Sequence, residues 1–137
     1  MYLLDTNAYS ESRRPGLLGE TMRTWLADTP PEVTFMSAIT DYELERGVLH
    51  LQRRDPRQAT ALRGWLTTVR SGLEGRILSV TPEIARVFAR LDVPDRRPWA
   101  DALIAATALH HDLTVVTRNE KDFDVPGLRV INPFSGD

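Results

Sequence analysis

Ala100-Asp101-Ala102-Leu103-Ile104-Ala105-Ala106-Thr107-Ala108-Leu109, followed after His110-His111-Asp112 by Leu113-Thr114-Val115-Val116-Thr117, is the stretch that decides the fold class. The first run is apolar on nearly every side and predicts a helix covered all round by the rest of the chain. The second is rich in β-branched residues at strand length and predicts a buried strand. A buried helix leading into a buried strand is half of a βαβ unit, so the neighbouring sequence should repeat the alternation.

It does so in both directions. Pro98 opens the helix over 99–111, and Leu128-Arg129-Val130-Ile131 supplies a last strand before Pro133. At the other end, Tyr2-Leu3-Leu4 reads as a buried strand, and Asp5-Thr6-Asn7 ends it with side chains suited to cap a helix. Arg13-Arg14-Pro15-Gly16 is a turn. Leu17, Leu18, Met22, Trp25 and Leu26 recur at helical spacing and predict one helix face. Pro30-Pro31 stops that helix, and Val33-Thr34-Phe35-Met36 has strand composition. Helices follow over 40–53, with Tyr42, Leu44, Val48, Leu49 and Leu51 as apolar members, and over 56–73. Residues 76–80 read as a strand, and Thr81-Pro82-Glu83 starts a helix with Thr81 as its cap. The pattern predicts one α/β domain over 1–137, a three-layer arrangement with a mainly parallel sheet between helices. In such sheets ligands sit beyond the carboxyl ends of the strands.

Composition narrows the function. A chain of 137 residues with 42% hydrophobic and 26% charged residues is an ordinary globular protein. The absence of cysteine excludes a disulfide scaffold, a thiolate zinc site, an iron–sulfur centre and a thiol nucleophile. The three histidines, His50, His110 and His111, do not form a metal-binding pattern. No secretory signal or membrane-length apolar run is visible, so the expected location is cytoplasmic. A net charge of −2 argues against coating nucleic acid by bulk electrostatics and leaves room for a nuclease with an acidic site. Among the 17 basic residues only Lys121 is lysine. Arg13, Arg14, Arg53, Arg54, Arg96 and Arg97 are candidate phosphate binders, and solvated faces explain them equally well.

Four acids are candidates for chemistry. Asp5 ends the first strand, where it either caps the next helix or serves a site, since a lone buried carboxylate is costly. Glu43 stands three residues after Thr40, the spacing of a capping box. A helix starting from Ser37 would instead free its carboxylate, and Glu45 is a neighbouring rival. Asp101 is the single charge in the apolar helix, either an acid favoured by the helix dipole or a ligand beside the strand ends. Asp122 follows the strand at 113–117, with Asp124 close by. Carboxylates without histidine or cysteine suit a hard divalent cation, Mg²⁺ or Mn²⁺.

In this order, Leu3-Leu4-Asp5-Thr6-Asn7, Ser37-Ala38-Ile39-Thr40 with Glu43-Leu44 and Gly47, residues 100–108, and Thr117-Arg118-Asn119 with Asp122-Phe123 resemble the PIN-domain ribonucleases. Within them the chain is most similar to the VapC toxins and their FitB-like branch. The resemblance implies a PIN-like fold and an acidic site of Asp5, Glu43, Asp101 and Asp122. Thr6 and Asn7 match polar residues beside the first acid, and Thr117 and Asn119 match the polar support before the last. It implies divalent-metal-dependent RNA cleavage by activated water, leaving 5′ phosphates and 3′ hydroxyls. Asp5 and Asp101 would touch the metal directly, Glu43 would ligate or orient the attacking water, and Asp122 would hold a second ion or a water. It further implies a VapB-like antitoxin that binds DNA through one end and blocks the nuclease groove with the other, a homodimer, and a higher assembly with the antitoxin. The helices around Leu17–Leu26 and Leu44–Leu51 offer an apolar groove, a core contact or a dimer face.

Two other functions share parts of this residue pattern. A haloacid-dehalogenase-like phosphatase needs a second aspartate where Asn7 stands. A PIN-like module that binds RNA or protein without cutting is the second reading, and the presence of all four acids counts against it. Trp99 suits either stacking on a base or packing in the core, and packing is the expected role.

Overall fold

The computed structural model describes residues 1–134. Its strands are β1 (Tyr2–Leu4), β2 (Thr34–Ser37), β3 (Ile77–Leu78), β4 (Thr114–Val116) and β5 (Val130–Ile131). They form one parallel sheet in the order β3-β2-β1-β4-β5, with Leu3 opposite Phe35 on one side and Val115 on the other. Six helices connect and cover it: α1 (Thr6–Ser12), α2 (Glu20–Asp28), α3 (Ala38–Arg54), α4 (Pro56–Gly72), α5 (Pro82–Leu91) and α6 (Trp99–His111).

Alternation along the strands sorts the core into two layers. Leu4, Met36 and Val116 point to one face, where Ala8 and Tyr9 of α1, Met22 of α2, Leu44 and Val48 of α3 and Leu66 of α4 cover them. Leu3 and Val115 point to the other, against Ile104, Ala105 and Ala108 of α6, with Leu91 of α5 packed alongside. The α/β three-layer reading therefore holds. Short side chains along α6 let the helix lie close to the sheet, and its six buried residues from Ala102 to Ala108 match the all-round apolar sequence. Asp112 ends α6 in the left-handed region (φ 57°), which Asp and Asn tolerate better than most residues.

Several local expectations are corrected. Leu17 and Leu18 do not belong to a helix face: Pro15–Leu17 forms a short 3-10 turn and Gly19 caps α2, so the helix begins at Glu20. Leu17 is left 78% exposed while Leu18 turns into the core. Tyr42 and Leu49 sit on the solvent side of α3. Ser79 and Val80 lie outside β3 because the chain must already turn into the Thr81 cap of α5. Trp99 does not pack in the core. As the first residue of α6 it is 52% exposed, with its ring tilted against that of Tyr42 at 6.1 Å.

Candidate active site

The sheet grows in opposite directions from its centre, through β2 and β3 on one side and β4 and β5 on the other. The crevice between β1 and β4 is thus the switch point, where helices leave the strand ends on opposite faces. Asp5 follows β1 there, and Thr117 follows β4. Asp5 is 4% exposed. One of its oxygens caps α1 by accepting from the Ala8 N–H at 2.8 Å, and the other accepts from the Thr117 hydroxyl at 2.6 Å. Capping leaves room for a further contact, because each carboxylate oxygen keeps another lone pair. Burial pushes the Asp5 carboxyl above its ordinary range, the bonds from Thr117 and Ala8 oppose this, and the charges of Glu11 and Glu43 add to the upward push.

Glu43 owes its freedom to Ser37. The Ser37 hydroxyl accepts from the Ile39 N–H at 3.0 Å, so α3 begins ahead of Thr40. Glu43 then lies in the second turn, outside any capping box, and its Oε1 accepts from the Thr6 hydroxyl at 2.6 Å. The buried Thr40 hydroxyl lies 3.1 Å from the same Thr6 oxygen, which ties α1 to α3 at the site. The rival acid Glu45 is spent elsewhere: Arg63 and Arg70 of α4 hold it at 2.6 and 2.9 Å and lower its pKa to about 2.

Asp101 stands in the first turn of α6, and Asp122 in the 3-10 turn Glu120–Phe123. The Asn119 amide donates to Asp122 at 2.5 Å, and the Asn119 N–H donates to the Thr117 hydroxyl at 2.9 Å. Thr117 therefore links the support of the last acid to that of the first. Burial, then the charges of Asp122, Asp5 and Glu43, push the Asp101 carboxyl up to about 6. Asp101 thus senses the other three acids at the carboxyl end of the sheet, and among the described residues no ion pair engages any of the four. Replacing Thr117 by the isosteric Val should cost about 1–2 kcal/mol, because the buried Asp5 carboxylate loses its donor. Urea unfolding in EDTA checks this, and an unchanged midpoint would mean that water replaces the hydroxyl.

The donor set fits a hard divalent cation: oxygen donors alone, with like charges that no ion pair among the described residues offsets. Among the described residues the acids are not already gathered into a cage. Thr6 holds Glu43, Asn119 holds Asp122, and Thr117 with Ala8 holds Asp5. These neighbours fix the directions of the three carboxylates from behind.

The PIN domain family model matches residues 2–127. The chain belongs to the PIN-domain family. Toxin FitB of Neisseria gonorrhoeae is 34% identical over 98% of this chain and 99% of its own length. The VapC ribonuclease Y4jK of Sinorhizobium fredii is 33% identical over 98% of each. The crystal structure of FitAcB from Neisseria gonorrhoeae superposes with a TM-score of 0.88 at 34% identity, covering 98% of this chain and 99% of that one. A toxin–antitoxin complex from Klebsiella pneumoniae superposes at 0.69 with 26% identity, covering 98% of each chain. No helix among the described residues of this PIN domain is long and apolar enough to cross a membrane.

The PIN-domain site opens on two sides of different character. A groove of about 430 Å³ starts at Thr6 and Glu43 and continues past Arg13 and Arg14 to Leu17, Leu18, Leu44, Leu62 and Trp65. A second cleft of about 440 Å³ is lined by four polar or charged residues, Asn7, Glu11, Arg118 and Asn119. Arg13 and Arg14 thus border the site, whereas Arg53 and Arg54 sit at the far end of α3, about 15 Å along the helix from Glu43. Arg97 is committed to the Leu91 and Asp124 carbonyls. Sequence reasoning missed Glu11 and Arg118. The available signal for Glu11 was its position four residues after Asn7 on a helix, hence on the same face.

Proposed function

We propose that this PIN domain is the ribonuclease of a toxin–antitoxin pair, hydrolysing RNA phosphodiester bonds with Mg²⁺ or Mn²⁺ at Asp5, Glu43, Asp101 and Asp122. The observation that carries the reading is the convergence of four acids from separate elements at the switch point, with no ion pair to any of them among the described residues. Asp5, the one buried acid of the four, and Asp101, in the first turn of α6, suit direct contact with the ion. Glu43 has one oxygen fixed by Thr6, which leaves the other to receive a hydrogen bond from the attacking water and aim it at phosphorus. Asp122, fixed by Asn119, suits a second ion or an ordered water. A bound divalent ion supplies charge neutralisation at the phosphate oxygens and an easier ionisation of water.

The partner half of the reading rests on the apolar groove. Leu17 is an unusually exposed leucine, and it faces a groove that ends at Thr6 and Glu43. An apolar segment of an antitoxin laid there would bury Leu17 and close the approach to the acids.

The test is cleavage of total cellular RNA by antitoxin-free protein with Mg²⁺ or Mn²⁺, beside EDTA and Asp5→Asn controls, with product ends mapped. Discrete cuts that vanish in both controls and leave 5′ phosphates are expected. Cutting that survives Asp5→Asn would reject the site. A folded, metal-binding protein that cuts nothing in a broad RNA panel would favour the non-catalytic module.

A further inference from the structure

The polar cleft takes no part in the proposed hydrolysis. It begins at the acids, since its residue Asn119 holds Asp122 and the preceding Thr117 holds Asp5. Its one cation is Arg118, whose guanidinium lies over the Phe134 ring at 4.4 Å from the centroid. Arg118 reaches across to Glu11 of α1 with two nitrogens, at 2.8 and 3.4 Å. Its carbonyl accepts from the Asn132 amide at 3.3 Å, which fixes the backbone beneath it.

The Glu11–Arg118 pair spans 107 residues of chain yet remains open to water, with side chains 37% and 55% exposed. A pair so exposed contributes little net stability, and salt weakens it further. The stacking on Phe134 does not depend on Glu11, so the guanidinium keeps its plane when the carboxylate lets go. A planar guanidinium with two parallel donors matches a phosphate better than any other side chain. The Asn7 amide on the opposite wall adds a donor that no other described residue occupies.

Resting on the ribonuclease reading, we propose that this cleft is a subsite for an RNA backbone phosphate neighbouring the scissile one. Arg118 binds the phosphate, and Glu11 is the resting partner it leaves. Glu11 therefore competes with substrate: it occupies Arg118 in the free protein and repels the incoming phosphate. The two sides of the site then divide the work, with nucleic-acid backbone on the polar side and a protein segment on the apolar side.

The opposite signs expected for the two partners make the test sharp. A fluorescein-labelled, mixed-sequence 20-nucleotide single-stranded RNA is titrated in EDTA by the full chain and by Arg118→Gln, Arg118→Lys and Glu11→Gln variants. Melting temperatures and Mg²⁺-supported cleavage are measured in parallel. Arg118→Gln should weaken binding about tenfold, and flatten the dependence of log affinity on log salt by about 0.7, the value of one lost phosphate contact on a single strand. Arg118→Lys should keep the salt slope and lose part of the affinity, and Glu11→Gln should tighten binding about threefold. An Arg118→Gln protein equal to the parent in affinity and slope overturns the subsite. So do Arg118→Gln and Glu11→Gln that both weaken binding and both lower the melting temperature, the signature of a structural strut. If the parent cuts RNA and these variants bind unchanged, the subsite alone falls. If the parent neither binds nor cuts RNA, the ribonuclease reading falls with it.

Discussion

Asp101→Asn should abolish RNA cleavage, by about 10³-fold or more, and at the same time make the metal-free protein more stable at pH 8. The activity loss follows from removing a carboxylate that offsets the ion's charge and position, an effect of about 4 kcal/mol at that fold-change. The stability gain follows from the sign of the titration. In the folded chain the Asp101 carboxyl titrates near 6, against an ordinary value of 3.8, because it is buried and faces Asp122, Asp5 and Glu43. Between those two pH values the folded protein holds a proton that the unfolded chain has released, so stability falls as pH rises through about 6. Above that, the fold carries a charge it disfavours, and Asn removes it. Allowing for the half-open position, the gain should be about 1–2 kcal/mol, which is about 3–8 °C in melting temperature. It should nearly disappear near pH 4, where the folded carboxyl is protonated and the unfolded one only about half ionised. Melting in EDTA at pH 8 and pH 4 measures this, and a variant less stable at both would show that Asp101 holds the structure rather than straining it. Added Mg²⁺ should reverse the ranking, since only the parent keeps the full ligand set.

Phe123→Ala should be the most damaging single change away from the acids, costing about 3–5 kcal/mol. Phe123 is 1% exposed and packs with Leu3, Ile104, Ala105 and Val115, where β1, β4 and α6 meet beneath the site. It is also next to Asp122 in a 3-10 turn whose start has no side-chain cap, so this ring is the turn's main anchor. Removing it opens a cavity and frees the acid together. Phe123→Leu should cost about 1–1.5 kcal/mol as a smaller volume change in the same pocket, and it keeps enough fold for a cleavage assay. Urea midpoints rank the three proteins. Parent-like stability in Phe123→Ala would mean that Val125 and Leu128 close over the gap. Parent-like cleavage in Phe123→Leu would mean that Asn119 alone suffices to hold Asp122.

The ambiguities left open among neighbouring acids were of a kind that spacing cannot resolve. Glu43 and Glu45 share a helix two residues apart, so a small error in where α3 starts exchanges their roles. What separates them is α4, whose Arg63 and Arg70 claim Glu45 while Thr6 of α1 claims Glu43. Ser37 was legible as an alternative cap, but choosing it over Thr40 needed the buried Thr40 hydroxyl to be seen against Thr6. Trp99 misled for a related reason. It begins a helix that is buried from Ala102 onward, and a first residue extends past the layer that covers the rest. Leu17 looked like part of a helix face because its spacing to the following residues is helical, whereas Pro15 and Gly16 form a separate turn.

By itself the sequence determined the alternation of buried strands and helices, hence the parallel sheet, and it placed Asp5 after one strand and Thr117 at the end of another. Those features are written in runs of adjacent residues, through side-chain shape and the periods of helix and strand. The tertiary structure alone decided which strands are neighbours, and so where the crevice lies and that the Asp5–Thr117 bond crosses it. It also decided the Glu11–Arg118 pair, the two unlike sides of the site and the rise of the Asp101 pKa. Each of these depends on groups far apart in the chain that share a few ångströms of poorly hydrated space, where burial and charge act through distance rather than sequence order.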